Sequence, residues 1–161
     1  MPDSSSQSIV IDAPPARVAG VVCDFTRYPE WVSAYRSAEI IEEYEDGYAS
    51  QVRYVLDAGI MKDEYTLAYA YAEAAPSSPR HPTHVSRIEW HLVKPSSMQR
   101  SQRGSYDIAD NGDGSSTVTY TLEVDLALPM LGMFKRKAEK MIMDTALKEL
   151  KRRVETLADA S

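Results

Sequence analysis

The residues best suited to chemistry in this 161-residue chain are its phenols and indoles, ten tyrosines and two tryptophans. Tyr54, Tyr65, Tyr69, Trp90, Tyr106 and Tyr120 lie in stretches where bulky residues recur at every second position, a spacing that gathers them on one face of a sheet. A phenol or indole has an apolar body and a polar tip, so such a face can line a ligand cavity and offer a few hydrogen bonds. Trp31, Tyr35, Phe134 and Met141 join them as candidate walls, and the claim belongs to the group rather than to any one member. With strict alternation over residues 97–109, Arg100 and Gln102 share the face of Tyr106 and Ile108, which makes Arg100 the candidate anchor for a carboxylate or enolate oxygen. A bulge in that strand would turn it to solvent.

Other chemistries find less support. His81 and His84 fall in a proline-rich loop with no cysteine or carboxylate at matching spacing, and His91 stands apart, so no metal site is expected. The turn Asp110–Gly114 lacks the carboxylate ladder of a calcium loop. Nucleophile-elbow, P-loop and dinucleotide fingerprints are missing, and no cofactor is expected. Cys23, the single cysteine, sits in an apolar pattern and reads as a buried thiol. Asp63 and the tyrosines are the groups available for acid–base work.

These residues must be positioned by a sheet and a helix. Ser8–Asp12 alternates as a first strand, Pro14 and Pro15 open a short helix carrying Val18, Val21, Val22 and Phe25, and Tyr28-Pro29-Glu30-Trp31-Val32 signals a second. Six further strands follow, at about 36–45, 48–57, 61–73, 83–94, 97–109 and 116–128. Turn residues separate them: Asp46-Gly47, Ala58-Gly59, Pro95-Ser96-Ser97 and Asn111-Gly112-Asp113-Gly114, with residues 74–82 as the one long loop. From near Met130 to the end the pattern is helical, and only this element is large enough to cover the apolar face of the sheet. Phe134, Ala138, Met141, Ile142 and Thr145 form one side of the helix; Met143, Leu147, Leu150, Val154 and Leu157 form another. The first set, with its looser Met, Phe, Ala and Thr, suits a cavity wall and the second reads as core; the alternative is that both sets are core and the shift follows the twist of the sheet beneath.

The expected architecture is α+β: a curved seven-stranded antiparallel sheet gripping a long C-terminal helix, with two short helices after the first strand. Residues 1–7 are read as a flexible start and 8–158 as a single domain. With 43% hydrophobic residues the chain can build one sizeable core. It has neither a bilayer-length apolar run nor a secretory leader, which suits the cytoplasm. The net charge of −6 is uneven: residues 130–161 carry eight Lys/Arg against five Asp/Glu, and residues 1–129 carry ten against nineteen. An acidic body argues against nucleic acid. Lys135, Arg136, Lys137 and Lys140 form a cationic cluster able to touch an anionic membrane.

Residues 11–32 (IDAPPARVAGVVCDFTRYPEWV), 104–126 (GSYDIADNGDGSSTVTYTLEVDL) and 128–155 (LPMLGMFKRKAEKMIMDTALKELKRRVE) resemble the START/Bet v 1-like superfamily, within it the bacterial polyketide cyclase/dehydrase and coenzyme Q-binding group. The resemblance covers nearly the whole chain. It implies a cavity between sheet and helix for a polyketide-like, isoprenoid-quinone or lipid ligand, bound or carried without turnover. It also admits a cyclase or dehydratase acting on a poly-β-ketone, or an interaction module. Polyketide cyclases similar to this group use an arginine and tyrosines to enolise their substrate. Tyr35 falls where they can carry a tyrosine, but the strand MKDEYTLAYAYAE has no arginine.

Overall fold

The computed structural model describes residues 5–57, 62–73, 85–127 and 132–159; within the last segment the side chains of 132–135, 138, 158 and 159 are not described. Strand β1 (Ser5–Ile11) leads into helix α1 (Pro15–Val22) and a 3-10 helix (Phe25–Glu30). Then come β2 (Tyr35–Glu43), β3 (Ala49–Asp57), β4 (Lys62–Glu73), β5 (Val85–Leu92), β6 (Gln99–Asp110), β7 (Ser116–Leu126) and helix α2 (Gly132–Asp159). The sheet is antiparallel in the order β1-β7-β6-β5-β4-β3-β2, with β1 and β2 at opposite edges. This is the expected architecture, a seven-stranded sheet gripping its C-terminal helix.

Local sequence accounts for the elements. Pro15 opens α1, where a missing N–H costs nothing, and Val18, Ala19, Val21 and Val22 are buried beneath it. Strand β7 alternates with little interruption: Val118, Tyr120, Leu122 and Val124 point inward, while Thr117, Thr119, Thr121 and Glu123 lie half exposed. The β2–β3 hairpin turns at Gly47, whose φ of +92° is left-handed backbone that favours glycine. Ser5–Gln7, expected in a flexible start, are the first residues of β1, paired with Leu122, Thr121 and Tyr120. The second short helix is 3-10 and begins at Phe25, ahead of the Tyr28-Pro29 signal. The Ala58-Gly59 turn, the loop at 74–82 and the chain just before α2 lie outside the described residues.

Helix α2, 28 residues and about 42 Å long, packs along β1 and β7 and meets α1. Its buried stripe is Glu139, Met143, Leu147, Leu150 and Val154, successive inward positions three or four residues apart. The stripe is continuous, so the expected change of inward face is absent among the described residues. Met141, Ile142 and Thr145 point away from the core, and Met141 is 64% exposed.

Candidate functional site

The concave face of the sheet carries an aromatic layer. On its β2–β4 side the phenols satisfy one another, as buried hydroxyls must be satisfied if they are not to forfeit their hydration. The Tyr54 and Tyr69 hydroxyls lie 2.5 Å apart and those of Tyr35 and Tyr65 lie 2.8 Å apart. The Tyr35 and Tyr54 rings stack at 4.8 Å. Phe25 and Tyr28, brought in by the 3-10 helix, close this side: Phe25 sits 4.5 Å from the Tyr69 ring, and Tyr28 donates to the Val22 carbonyl.

The β5–β7 side is built differently. Tyr106 and Tyr120 face each other across the β6–β7 ladder with rings 4.8 Å apart and nearly perpendicular, and Trp90 stands 5.4 and 5.6 Å from them. Trp90 lies flat over its cross-strand partner Gly104, where an added Cβ would come within 2.4 Å of the indole. Both tyrosines are about nine-tenths buried, yet among the described residues neither hydroxyl has a hydrogen-bond partner. Two phenol donors are thus held beside an indole with nothing among the described residues to receive them. Ser50 Oγ, buried at the start of β3, is also without a partner.

A polar relay fixes the Trp90 edge. Its Nε1–H donates to Gln102 Oε1 at 3.0 Å, Gln102 Nε2 donates to Gln99 Oε1 at 2.5 Å, and Gln99 Nε2 donates to Asp63 Oδ2 at 3.2 Å. Because an indole can only donate and a carboxylate can only accept, both amide orientations are determined. Asp63 also accepts from Ser96 Oγ, Ser97 Oγ and the Glu64 N–H, tying the β5–β6 turn to β4. Glu139, the other buried carboxylate, accepts from Ser5 Oγ at 3.1 Å and from the Val124 N–H at 3.2 Å. Val124 lies two residues past Leu122, which pairs with Ser5 at the start of the described β1, and its N–H is satisfied by Glu139.

Burial pushes the phenols of Tyr54, Tyr65, Tyr69 and Tyr106 well above their ordinary value, with neighbouring phenols adding to the effect. Burial raises Tyr120 as well. These hydroxyls stay protonated near neutral pH and act as hydrogen-bond donors. Burial also raises the Cys23 thiol to about 12, which keeps it in the unreactive form.

Of the residues singled out from sequence, Tyr35, Tyr54, Tyr65, Tyr69, Trp90, Tyr106 and Tyr120 come together in this layer. Arg100 does not. The β6 register slips between Gln99 and Ser101, the extra residue is Arg100, and the bulge leaves it exposed while Gln99 turns inward. Met141 faces out because α2 rolls Met143 and Leu147 onto β1 and β7. Trp31 packs edge-on against Tyr28 but is half-buried, lining an outer groove of about 320 Å³ with Arg17, Val21, Arg27, Arg153 and Leu157. The Phe134 and Lys135 side chains lie outside the described residues, as do His81 and His84. Arg136, Lys137 and Lys140 are exposed. Among the described residues no group of three His, Cys, Asp or Glu could hold a metal ion, and no helix is long and apolar enough to cross a membrane.

Phe25, Tyr28, Gln99 and Glu139 were not anticipated as parts of this interior. Phe25 had a signal, its spacing from Val18, Val21 and Val22; Glu139 had one too, standing four residues before Met143 on the stripe of Leu147, Leu150 and Val154.

A seven-stranded antiparallel sheet with an aromatic concave face closed by one long helix defines a START/Bet v 1-like helix-grip domain. The model of the family "polyketide cyclase / dehydrase and lipid transport" matches residues 3–155, and the chain belongs to that family. Among solved structures, a START superfamily protein from Mycobacterium smegmatis is 23% identical with a TM-score of 0.80, covering 96% of this chain and 98% of its own. A Thermus thermophilus protein is 20% identical with a TM-score of 0.71, covering 99% and 100%. The Zhui aromatase/cyclase from a Streptomyces species is 12% identical with a TM-score of 0.69, covering 96% and 94%. No curated protein matches the chain by sequence.

Proposed function

We propose that this chain binds or carries a small hydrophobic molecule between its sheet and α2, with the β5–β7 aromatic corner as the part that meets the ligand. The observation that carries this reading is the pair of hydroxyls at Tyr106 and Tyr120, held in a buried aromatic corner without a partner in the described chain. Unlike Ser50 Oγ, these two oxygens are not fully enclosed, so each tip keeps an open side at which a ligand oxygen can accept its hydrogen bond. Family membership and the fold it shares with START proteins support the same reading.

The second reading, a cyclase or dehydratase on a poly-β-ketone, draws support from the family and from the aromatase/cyclase neighbour. Enolisation needs a base at the substrate carbon. Among the described residues the two buried carboxylates are occupied by Ser96, Ser97 and Gln99 at Asp63 and by Ser5 and Val124 at Glu139. The phenols are shifted away from deprotonation. Binding without turnover therefore comes first. A peripheral contact of Lys135, Arg136, Lys137 and Lys140 with anionic membranes is a separate part of the proposal, supported by the exposure of Met141 and Ile142 on the same half of α2. Co-sedimentation with anionic and neutral vesicles reads it.

Titration with a hydrophobic fluorophore, followed by displacement with aromatic polyketides, quinones and lipids, tests the main proposal. Saturable displacement that weakens in Tyr106→Phe and Tyr120→Phe is the expected result. Mutation-sensitive formation of a cyclised or dehydrated product from a poly-β-ketone mimic would replace the carrier reading with the enzymatic one.

A further inference from the structure

The outer groove lies apart from the aromatic layer, and its described lining comes from helices alone. Arg17, Gly20, Val21 and Asp24 stand three or four residues apart, a spacing that puts them in one line along α1 and its exit. Arg27 lies inside the 3-10 helix and Trp31 at its end. Arg153 and Leu157, four residues apart on α2, supply the other wall.

Three guanidiniums therefore share one space of about 320 Å³, near the lower end of the volumes that hold small molecules. Two of them are held in place. Arg153 pairs with Glu30 at 3.0 Å, and Arg27 pairs with Asp24 at 3.2 Å and reaches Glu30 at 3.9 Å. Arg17 has no partner among the described residues. Beside these charges stand the half-buried Trp31, the buried Val21 and the exposed Leu157, so cationic groups adjoin an apolar wall.

Gly20 adds an independent sign that something outside the chain comes close. A glycine inside a helix is less favourable than an alanine, and α1 has only eight residues in which to recover the difference. Its φ is not left-handed, and a Cβ added there would meet nothing within 4 Å. Neither backbone conformation nor packing among the described residues calls for glycine at this position, whereas a ligand lying along the groove does.

We infer that this groove is a second binding site, separate from the interior, for a small flat aromatic molecule bearing one carboxylate. Arg17 receives the carboxylate, since its planar fork can take both oxygens, and the ring lies over Gly20 beside Trp31 and Leu157. Asp24 stands in the same lining and disfavours a doubly charged phosphate there. The site is independent of what the interior binds.

The two tryptophans separate the two places in the test, because the indole N–H signals of Trp31 and Trp90 report groove and interior in one NMR titration, with Trp31→Phe assigning them. The probes are naphthoate, naphthamide and naphthyl phosphate at about pH 8, where the carboxylate is ionised. Naphthoate is expected to move the Trp31 signal saturably and at least about fivefold more tightly than the other two. Its affinity at Trp31 is expected to fall about 3- to 10-fold in Arg17→Gln. A larger loss is expected in Gly20→Leu, which fills the groove with a good helix former and leaves the melt unchanged or raised. No saturable movement at Trp31, naphthamide or the phosphate binding there as tightly as naphthoate, or full affinity in Gly20→Leu would overturn the inference. Movement at Trp90 alone would also overturn it, while supporting the interior binding function. Arg17 is exposed, so its variant and the comparison of probes on the native chain decide the matter even if Gly20→Leu folds poorly.

Discussion

The two sides of the aromatic layer use the same residue type to opposite ends. Around Tyr54, four phenols pair hydroxyl to hydroxyl, and Phe25 and Tyr28 close over them, so the polar tips are consumed in holding the fold. Around Trp90, the tips of Tyr106 and Tyr120 are left over, while the indole itself is fixed from behind by Gln102, Gln99 and Asp63. A tyrosine on the first side is a structural cross-link between strands. On the second side it is a donor held ready. Residue type and burial are nearly the same in both, and only the partner of the hydroxyl separates them.

The comparison can be broken most severely by truncation. Tyr54→Ala removes a fully buried ring from the closed side and should cost about 3–5 kcal/mol in a denaturant melt, whereas Tyr106→Ala should cost less because it enlarges a corner with hydroxyls already left open. Equal losses would mean that the second side is packed as tightly as the first. Gly104→Ala comes next, since the new methyl must displace Trp90; about 1–3 kcal/mol and a changed tryptophan emission are expected, with ligand affinity falling alongside.

Subtler changes sharpen the contrast. Tyr54→Phe or Tyr69→Phe strands a buried hydroxyl and should cost about 1–3 kcal/mol, while Tyr106→Phe and Tyr120→Phe have no protein hydrogen bond to lose and should leave the melt almost unmoved. High pH gives a further reading. The buried phenols have folded-state pKa values above that of the unfolded chain, so below about pH 10 both states keep the proton and these groups leave stability flat. Above it the unfolded chain releases protons first, and stability is lost as pH rises toward the folded values. Melts that decline from neutral pH upward through these phenols would contradict the burial described. The smallest effect belongs to Met141→Ala, expected to change neither melt nor ligand affinity because the side chain faces solvent.

Sequence reading reached the sheet and its covering helix because period-two runs such as Val118, Tyr120, Leu122 and Val124 leave little choice of face. It gathered seven of the aromatic residues for the same reason. It missed what alternation cannot register. A single extra residue in β6 reversed Arg100 and buried Gln99, and bulges of this kind depend on how the neighbouring strands twist. The face of α2 was misassigned because apolarity alone cannot distinguish an exposed Met141 from a buried Met143, and Glu139 on the buried stripe breaks the pattern that would have marked it. Hydroxyl partners are set by strand register and ring geometry together, so the division between the two sides had no counterpart in the order of residues.

The measurement that reaches this division most directly is a ligand titration followed by NMR on protein carrying isotope-labelled tyrosine rings, with signals assigned through single phenylalanine variants. The account predicts that the Tyr106 and Tyr120 signals move as an aromatic ketone is added while those of Tyr54 and Tyr69 stay in place. Movement at Tyr54 and Tyr69 with Tyr106 and Tyr120 unchanged would contradict it, and would transfer the ligand to the side described here as closed.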